Sequence, residues 1–163
     1  MLRHMEQRDF DSLYALFNDP EVMKYYPGLR DRAETQLWMN WVFDQYEHYG
    51  HGLFVVEHVD TGEFIGQVGI IRQDWDGRAD LEVGYMLARK FWGNGYATEA
   101  ARAMRDYAFA HFHPDRVVSF ITPENKRSQE VAKRNGMRIL KRIKHPRLDL
   151  DIDIWGIYAG DSA

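Results

Sequence analysis

The segment best suited to chemistry lies between residues 81 and 112, where an apolar stretch leads into a glycine-containing turn and then a helical pattern. The turn is the Gly-Asn-Gly sequence at 93–95, and we expect the helix to begin near Tyr96. At a helix start several backbone N–H groups lack intrahelical partners, and the helix dipole favours negative charge. Glycine also lets the backbone approach a ligand closely. The sequence therefore predicts an anion site at this turn.

A Gly-x-Gly sequence alone is weak evidence, so two nucleotide-binding patterns need testing. The dinucleotide pattern G-x-G-x-x-G requires a third glycine where Thr98 stands, and an acid at the end of the next strand. Here Ile121 is followed by Thr122 and Pro123. The P-loop pattern G-x-x-x-x-G-K-[ST] is missing. Both patterns fit this turn poorly.

Hydrophobic periodicity and turn residues predict a mixed α/β domain. The predicted elements are a short strand at 2–3, helices at 10–17 and 32–49, strands at 53–58, 64–71 and 81–87, a helix from 96, a strand at 116–121, a helix at 126–134, and strands at 137–144 and 150–158. We expect Asp9 to cap the first helix, and Asp76-Gly77 to form a turn within a polar connection at 72–78. The sheet should be largely antiparallel, with a right-handed parallel crossover from 81–87 to 116–121.

Length and composition favour one globular domain spanning 1–163. The 163 residues are 45% hydrophobic and 28% charged, with a formal net charge of −4. That charge gives no reason to expect nucleic acid or an anionic membrane as a partner. No apolar run is long enough to span a bilayer, and the N-terminus lacks a signal-peptide core. We therefore expect a cytoplasmic protein.

The absence of cysteine limits the chemistry. With no Cys in the sequence, disulfides, thiolate metal sites and a cysteine acyl-enzyme are excluded. The seven histidines do not group at metal-ligand spacings, so no metal is expected. Any thioester chemistry must therefore use a thiol that a cofactor brings.

Several motifs together resemble one known superfamily. They are Glu82-Val83-Gly84-Tyr85, Trp92-Gly93-Asn94-Gly95-Tyr96-Ala97-Thr98-Glu99-Ala100, Pro123-x-Asn125-x-x-Ser128 and Asn135-Gly136-Met137. This combination is similar to the GNAT superfamily of acyl-CoA-dependent N-acyltransferases. Asp19-Pro20-Glu21-Val22, Gly62-x-Phe64-Ile65-Gly66 and Gly69 resemble its RimJ/RimL-type branch, the ribosomal-protein N-terminal acetyltransferases. The resemblance covers nearly the whole chain and implies the GNAT fold, with flanking helices and a splayed central parallel strand pair.

The resemblance implies acetyl-CoA as co-substrate and assigns the turn to its pyrophosphate. The implied phosphate cradle consists of Trp92, Gly93, Asn94, Gly95, Tyr96, Ala97 and Thr98. Trp92 replaces the Gln or Arg that opens the family loop, so binding must rest on backbone amides with charge from nearby Lys90. The pantetheine arm is expected to pair with the strand gap, where amides near Met86 and Leu87 polarise the thioester carbonyl. Asn125 either contacts the cofactor arm or caps the following helix, and one side chain could do both.

Direct acetyl transfer needs a neutral amine, and acceptor amines have pKa values of about 8 for an α-amino group and about 10.4 for lysine. Glu82 is the candidate general base, acting through water; the alternative is a surface or salt-bridged strand residue. Many relatives protonate the leaving thiolate with a tyrosine that the helix at 126–134 lacks. Ser128 is the nearest protic group there, and its alternative role is that of a helix-start residue.

Two functions follow from this resemblance. One is an N-acetyltransferase that moves an acetyl group directly to a primary amine, carried by a small molecule or by a protein or peptide N-terminus. The other is an acyl-CoA-binding sensor that has lost its chemistry, since the acid and base set is thin. The sequence leaves both a monomer and a homodimer open.

Overall fold

The computed structural model describes residues 1–75, 77–145 and 149–161. Its strands are β1 (Leu2–Arg3), β2 (Leu53–Glu57), β3 (Phe64–Trp75), β4 (Arg78–Leu87), β5 (Arg116–Ile121), β6 (Arg138–Lys144) and β7 (Asp151–Tyr158). Its helices are α1 (Phe10–Phe17), α2 (Arg32–Tyr49), α3 (Tyr96–Phe112) and α4 (Lys126–Arg134). The predicted turn residue Asp76 lies outside the described residues.

The strands form one seven-stranded sheet in the order β1-β2-β3-β4-β5-β7-β6. β4 pairs with β5 in parallel, whereas β1–β2, β2–β3, β5–β7 and β6–β7 are antiparallel. The parallel register consists of Leu81 opposite Val117 and Glu82 opposite Val118. Because β4 continues to Leu87 without further pairs to β5, the two strands diverge. The predicted mixed, mostly antiparallel sheet with a splayed central parallel pair is confirmed.

The hairpin between β3 and β4 corrects one prediction. Residues 72–75 and 78–80 belong to strands, so the polar connection expected at 72–78 is wrong. Arg72 and Asp74 are exposed while Trp75 is buried, which is the alternation of a half-buried strand. The polar face of that strand gave the appearance of a loop in the sequence.

The predicted helices are confirmed, and Asp9 is the N-cap residue of α1 as predicted, but its side chain makes no cap hydrogen bond. In α2, Asp31 and Glu34 form a reciprocal capping box, and Gly50 ends the helix with φ of 67°. Before α1, the Asp9 carboxylate accepts hydrogen bonds from the Arg3 guanidinium and from the backbone N–H of Glu6. The Asp9 carboxylate therefore does not bond to the first amides of α1, because Arg3 and the Glu6 amide already hold it.

The chain divides into two compact units. The first comprises 1–69 and 85–97, and its buried side chains include Leu13 and Phe17 of α1 and Met39 and Val42 of α2. The second comprises 70–84 and 98–163. Its core includes a cluster of buried residues from three strands, namely Trp75 of β3, Val118 of β5, and Ile152 and Ile154 of β7, against which Phe120 and Leu140 pack.

Two other features are absent from the described ranges. Among residues 1–75, 77–145 and 149–161, no helix has the length and apolar character needed to cross a membrane. In the same part of the chain, no group of three or more His, Cys, Asp and Glu residues is placed to hold a metal ion.

Candidate active site

The loop between β4 and α3 is stabilised by its own backbone and side chains. The backbone N–H of Trp92 donates to the carbonyl of Arg89 at 3.1 Å, and its indole Nε1 donates to the carbonyl of Leu87 at 2.8 Å. The Asn94 side-chain Nδ2 lies 3.2 Å from the carbonyl oxygen of Phe91 and 3.3 Å from that of Trp92. These bonds fix the loop without using the amides that follow Trp92.

The turn itself exposes a run of unused donors. Gly93 and Gly95 have φ of 82° and 84°, a left-handed conformation that favours glycine, and a Cβ at either would meet nothing within 4 Å. In the described part of the chain, no group accepts a hydrogen bond from the backbone N–H of Gly93, Asn94 or Gly95. The first N–H groups of α3, from Tyr96 to Thr98, follow directly and have no intrahelical acceptor. The arrangement suits a bound anion.

Trp92 of the expected phosphate cradle and the nearby Lys90 both have partners within the protein. The Trp92 amide is bonded to Arg89, so the open part of the cradle begins at Gly93. The Lys90 ammonium forms an ion pair with the Glu63 carboxylate, and both side chains are largely exposed. That pairing reduces the positive charge that Lys90 can offer to a phosphate.

The end of β4 packs against a glycine of β3. A Cβ at Gly66 would overlap the carbonyl oxygen of Met86 and the backbone of Leu87, so only glycine fits there. The N–H of Ala88 donates to the carbonyl of Ile65 on β3 at 2.8 Å. Because successive residues of a strand direct their amides to opposite sides, the Leu87 N–H is directed away from β3.

Glu82 lies in the second unit, within the strand pair that diverges. Its side chain is buried, with 9% of the residue exposed, and its carboxylate accepts from Gln73 Nε2 at 2.6 Å and from the backbone N–H of Phe120 at 3.3 Å. Burial raises the pKa of Glu82 above its ordinary value of 4.5, while the hydrogen bonds from Gln73 and Phe120 oppose the rise. Glu82 has no ion pair, so its alternative role as a salt-bridged residue is not observed in the described chain.

The divergence of β4 and β5 leaves backbone groups that side chains satisfy. The Ser119 hydroxyl donates to the carbonyl of Val83 at 2.7 Å, one residue beyond the last parallel pair. The Phe120 N–H, next along β5, donates to the Glu82 carboxylate. Glu82 is thus held at the point where the strands separate.

A buried ion pair lies two residues before Glu82 on β4. The Arg116 guanidinium donates from Nε to Asp80 Oδ1 at 3.1 Å and from Nη2 to Oδ2 at 2.7 Å. The Trp75 indole donates to the same carboxylate at 2.7 Å. Burial alone would raise the pKa of Asp80, but Arg116 and Trp75 lower it below its ordinary value of 3.8. This pair fixes the start of the parallel contact.

Asn125 and Ser128 lie at the start of α4. The Asn125 Oδ1 accepts a hydrogen bond from the backbone N–H of Ser128 at 3.2 Å, which makes Asn125 the N-cap of the helix. Its side-chain Nδ2 donates to no residue that the structure describes. The cap therefore uses the oxygen of the amide and leaves its nitrogen available to a ligand.

Sequence reasoning missed the partners of the buried carboxylates. Gln73 was assigned to a polar connection, and the contact between Asp80 and Arg116 joins residues far apart in sequence. Residues 72–74 are all polar, so the sequence contains no polar and apolar alternation that would extend β3 to Gln73; the alternation of exposure through 72–75 is seen only in the structure.

Comparison with known proteins shows the family. The profile of the "Acetyltransferase (GNAT) domain" family matches residues 1–138. The uncharacterized protein YkkB of Bacillus subtilis (strain 168) is 46% identical over 144 residues, covering 88% of this chain and 84% of that protein. The uncharacterized N-acetyltransferase p20 of Bacillus licheniformis is 34% identical over 127 residues, covering 76% and 70%. The chain therefore belongs to the GNAT acetyltransferase family, and it is an acyltransferase of the N-acetyltransferase type.

Solved structures of acetyltransferases share the fold. The acetyltransferase from Agrobacterium tumefaciens str. C58 has a TM-score of 0.81 and 29% identity, covering 96% of this chain and 89% of that one. The spermidine N-acetyltransferase of Vibrio cholerae, solved with CoA and spermine, has a TM-score of 0.79 and 18% identity, covering 99% and 96%. The ribosomal-protein-S5-alanine acetyltransferase of Vibrio fischeri has a TM-score of 0.78 and 17% identity, covering 99% and 94%. The predicted GNAT fold is thereby confirmed.

Proposed function

We propose that this chain, acting as one domain over 1–163, transfers the acetyl group of acetyl-CoA directly to a primary amine. The observation that carries the proposal is the row of unused N–H groups at Gly93, Asn94 and Gly95, which leads into the first turn of α3. A diphosphate matches this row in charge and in its need for several donors. Coenzyme A bound to the Vibrio cholerae fold relative supports the same cofactor here.

The reaction requires one bond to form and one to break. The neutral acceptor nitrogen attacks the thioester carbonyl carbon, the C–N bond forms, and the C–S bond breaks to release the CoA thiolate. The proton that the nitrogen loses passes through water to Glu82, and the thiolate takes a proton from Ser128 or from solvent. The Leu87 N–H, directed away from β3, is the donor proposed to polarise the carbonyl, with Met86 beside it.

The surroundings of Glu82 support its role as the base. The carboxylate is buried between neutral donors, Gln73 and the Phe120 amide, and its pKa is raised. A base whose pKa lies closer to the working pH accepts a proton more effectively from an amine that is losing one. An ion-paired carboxylate with a lowered pKa would be a poorer base.

The start of α4 is proposed to hold the cofactor arm. The Asn125 side-chain oxygen is used by the helix cap, and its nitrogen is available to donate to a pantetheine carbonyl. Ser128 lies one turn further on, and it is the protic group that we assign to the leaving thiolate. Lys90 is assigned a minor role, because its charge is shared with Glu63.

The acceptor is proposed to be a protein or peptide N-terminus, in line with the RimJ/RimL-type motifs of the sequence. The Vibrio fischeri relative acts on an alanine of a ribosomal protein, which supports this choice. A small amine such as a polyamine is the competing acceptor, since the Vibrio cholerae relative of similar fold acts on spermidine. Substrate choice varies freely on one fold, so an acceptor screen must decide.

The proposal is tested by following CoA release with a thiol reagent in the presence of acetyl-CoA and panels of amines and N-terminal peptides. We expect CoA release that depends on an amine, with a matching acetylated product by mass spectrometry. Binding of acetyl-CoA without amine-dependent CoA release would contradict the proposal and favour the sensor function.

A further inference from the structure

Arg30 lies between α1 and α2, and its guanidinium group stacks on two aromatic rings. Its guanidinium carbon lies 4.8 Å from the ring centre of Phe17 and 4.3 Å from that of Trp38, and those two rings meet edge to face. Stacking on rings orients the planar fork of a guanidinium but leaves its N–H donors unused. Within the described residues, no group accepts a hydrogen bond from the Arg30 side chain and no carboxylate pairs with it.

A neighbouring arginine shows the usual arrangement. Arg32 also lies over two rings, at 4.7 Å from Phe10 and 5.1 Å from Tyr14. Its guanidinium, however, forms an ion pair with Asp11 at 3.0 Å. Among the described residues, a carboxylate forms an ion pair with Arg32 and none does so with Arg30, although both guanidinium groups lie over two rings.

Arg30 is also partly withdrawn from water. Burial lowers the pKa of its guanidinium, with Glu34 and Tyr26 acting in the opposite direction. Glu34 does not form an ion pair with it, because the Glu34 carboxylate accepts from the Asp31 N–H in the capping box of α2. A partly desolvated cation that has aromatic rings but no paired anion beside it gains free energy when an anion from outside the protein pairs with it.

Contacts within the first unit connect Arg30 to the end of β4. The indole N–H of Trp38, on which Arg30 stacks, donates to Gln67 of β3 at 3.1 Å, and Gln67 is buried. The preceding residue, Gly66, packs against the Met86 carbonyl. Arg30 is therefore linked, through one indole and one strand, to the residues proposed to bind the thioester.

We propose that Arg30 binds a carboxylate of the acceptor, so that the substrate class is an amine that also carries a carboxylate group. A guanidinium fork donates to both oxygens of a carboxylate, which gives the contact its direction as well as its strength. This inference rests on the proposed acetyl transfer and narrows its acceptor. Amino acids and peptides with an acidic residue or a free C-terminus belong to this class, whereas polyamines do not.

The test compares acceptors that differ in a single group. Each pair consists of a carboxylate and its amide, such as a peptide with a free or an amidated C-terminus, or peptides that differ by Glu and Gln at one position. We expect the full-length wild-type protein to acetylate the carboxylate member with a kcat/KM roughly tenfold or more above that of the amide. In Arg30→Gln the ratio should fall close to one, and in Arg30→Lys it should lie between these values.

When the carboxylate-to-amide ratio of kcat/KM is compared between variants, the difference in intrinsic reactivity between the two acceptors cancels. Arg32→Gln is the matched control, because it removes a guanidinium from the same stacked arrangement, and its ratio should equal that of the wild type. Circular dichroism and thermal melting establish that Arg30→Gln remains folded. An equal rate for both members of every pair in the wild type, or a preference that survives in Arg30→Gln, would overturn the proposal.

Binding is measured in parallel, by titrating the same acceptor pairs into the protein saturated with CoA. The carboxylate member should bind more tightly to the wild type and equally to its amide in Arg30→Gln. This measurement does not depend on turnover. If no amine supports CoA release, the proposed acetyl transfer fails, and the binding ratio still decides whether Arg30 recognises a carboxylate.

Discussion

Two buried carboxylates two residues apart on β4 have opposite surroundings. Asp80 receives both donors of the Arg116 fork and the Trp75 indole, and its pKa is lowered. Glu82 is equally withdrawn from water but receives only neutral donors, and burial raises its pKa. The same strand therefore favours the ionised form of Asp80 and raises the pKa of Glu82, as the proposed role of Glu82 as a base requires.

The difference indicates that two carboxylates on one short strand segment have separate roles, a structural role for Asp80 and a proposed catalytic role for Glu82. A cation beside Asp80 makes that carboxylate a fixed part of the sheet, whose removal should be felt as instability. The lack of a cation beside Glu82 leaves a group whose removal should be felt as lost turnover. The predictions below test this division in order of decreasing effect.

Removing the cation should have the largest effect. Arg116→Met removes the buried, doubly bonded partner of the Asp80 carboxylate and leaves only the half-exposed Arg78, at 3.3 Å, as its cation. We expect a loss of up to about 3–5 kcal/mol in the free energy of unfolding. The pKa of Asp80 is lower in the folded than in the unfolded protein, so the pair contributes stability at pH values above the unfolded pKa. That stability is lost as the pH falls through the folded pKa. The loss in Arg116→Met should therefore be greatest near neutral pH and shrink below about pH 4, as measured by urea unfolding across pH.

Arg142→Met is the control for the loss of an arginine. Arg142 also contacts a buried carboxylate, Asp153, with two hydrogen bonds, but its own side chain is 57% exposed. We expect a much smaller loss, because water can reach this pair. Equal losses in the free energy of unfolding of the two variants would show that burial does not make the Asp80 pair more important for stability.

Replacing the base should mainly affect turnover. Glu82→Gln should lower kcat/KM by about 100-fold or more near neutral pH, since the amine must then lose its proton without a positioned acceptor. Acetyl-CoA affinity should be unchanged, because the phosphate cradle lies elsewhere in the chain. Steady-state kinetics and a binding titration measure the two quantities, and an unaltered rate would remove Glu82 from the mechanism.

The smallest effect is expected from a neutral donor to Glu82. Gln73→Leu removes a hydrogen bond that stabilises the ionised carboxylate and lowers its pKa. The acidic limb of the kcat/KM profile, where Glu82 takes up its proton, should therefore move to higher pH. A limb that stays in place, or moves to lower pH, would show that Gln73 does not act on the base.

Much of the fold follows from local sequence. α2 begins and ends where its capping box and its terminal glycine predict, at Arg32 and Tyr49. α4 likewise follows Asn125 and ends before Gly136, which has φ of 77°. Such signals are local, because the groups that satisfy the helix ends lie within a turn of them in the sequence.

The parts that could not be predicted depend on contacts between distant residues. The sequence indicated Asp9 as a helix cap, but Arg3 captures its carboxylate in the folded protein. Glu82 was identified as a candidate base, but its partners, Gln73 and the Phe120 amide, are contributed by neighbouring strands. The turn at 93–95 was identified, yet only the structure distinguishes the bonded Trp92 amide from the unused amides after it.

The most direct test of the central claim is the affinity for acetyl-CoA of Gly95→Asp compared with Gly95→Asn. Both side chains tolerate the left-handed conformation and have the same shape, so they differ only in a charge placed at the amide row. The same pair at Gly50, another left-handed glycine with open space, is the control. If the amides bind the diphosphate, Gly95→Asp should bind acetyl-CoA about tenfold or more weakly than Gly95→Asn, with no difference at Gly50. Equal affinity of the two Gly95 variants would contradict the account.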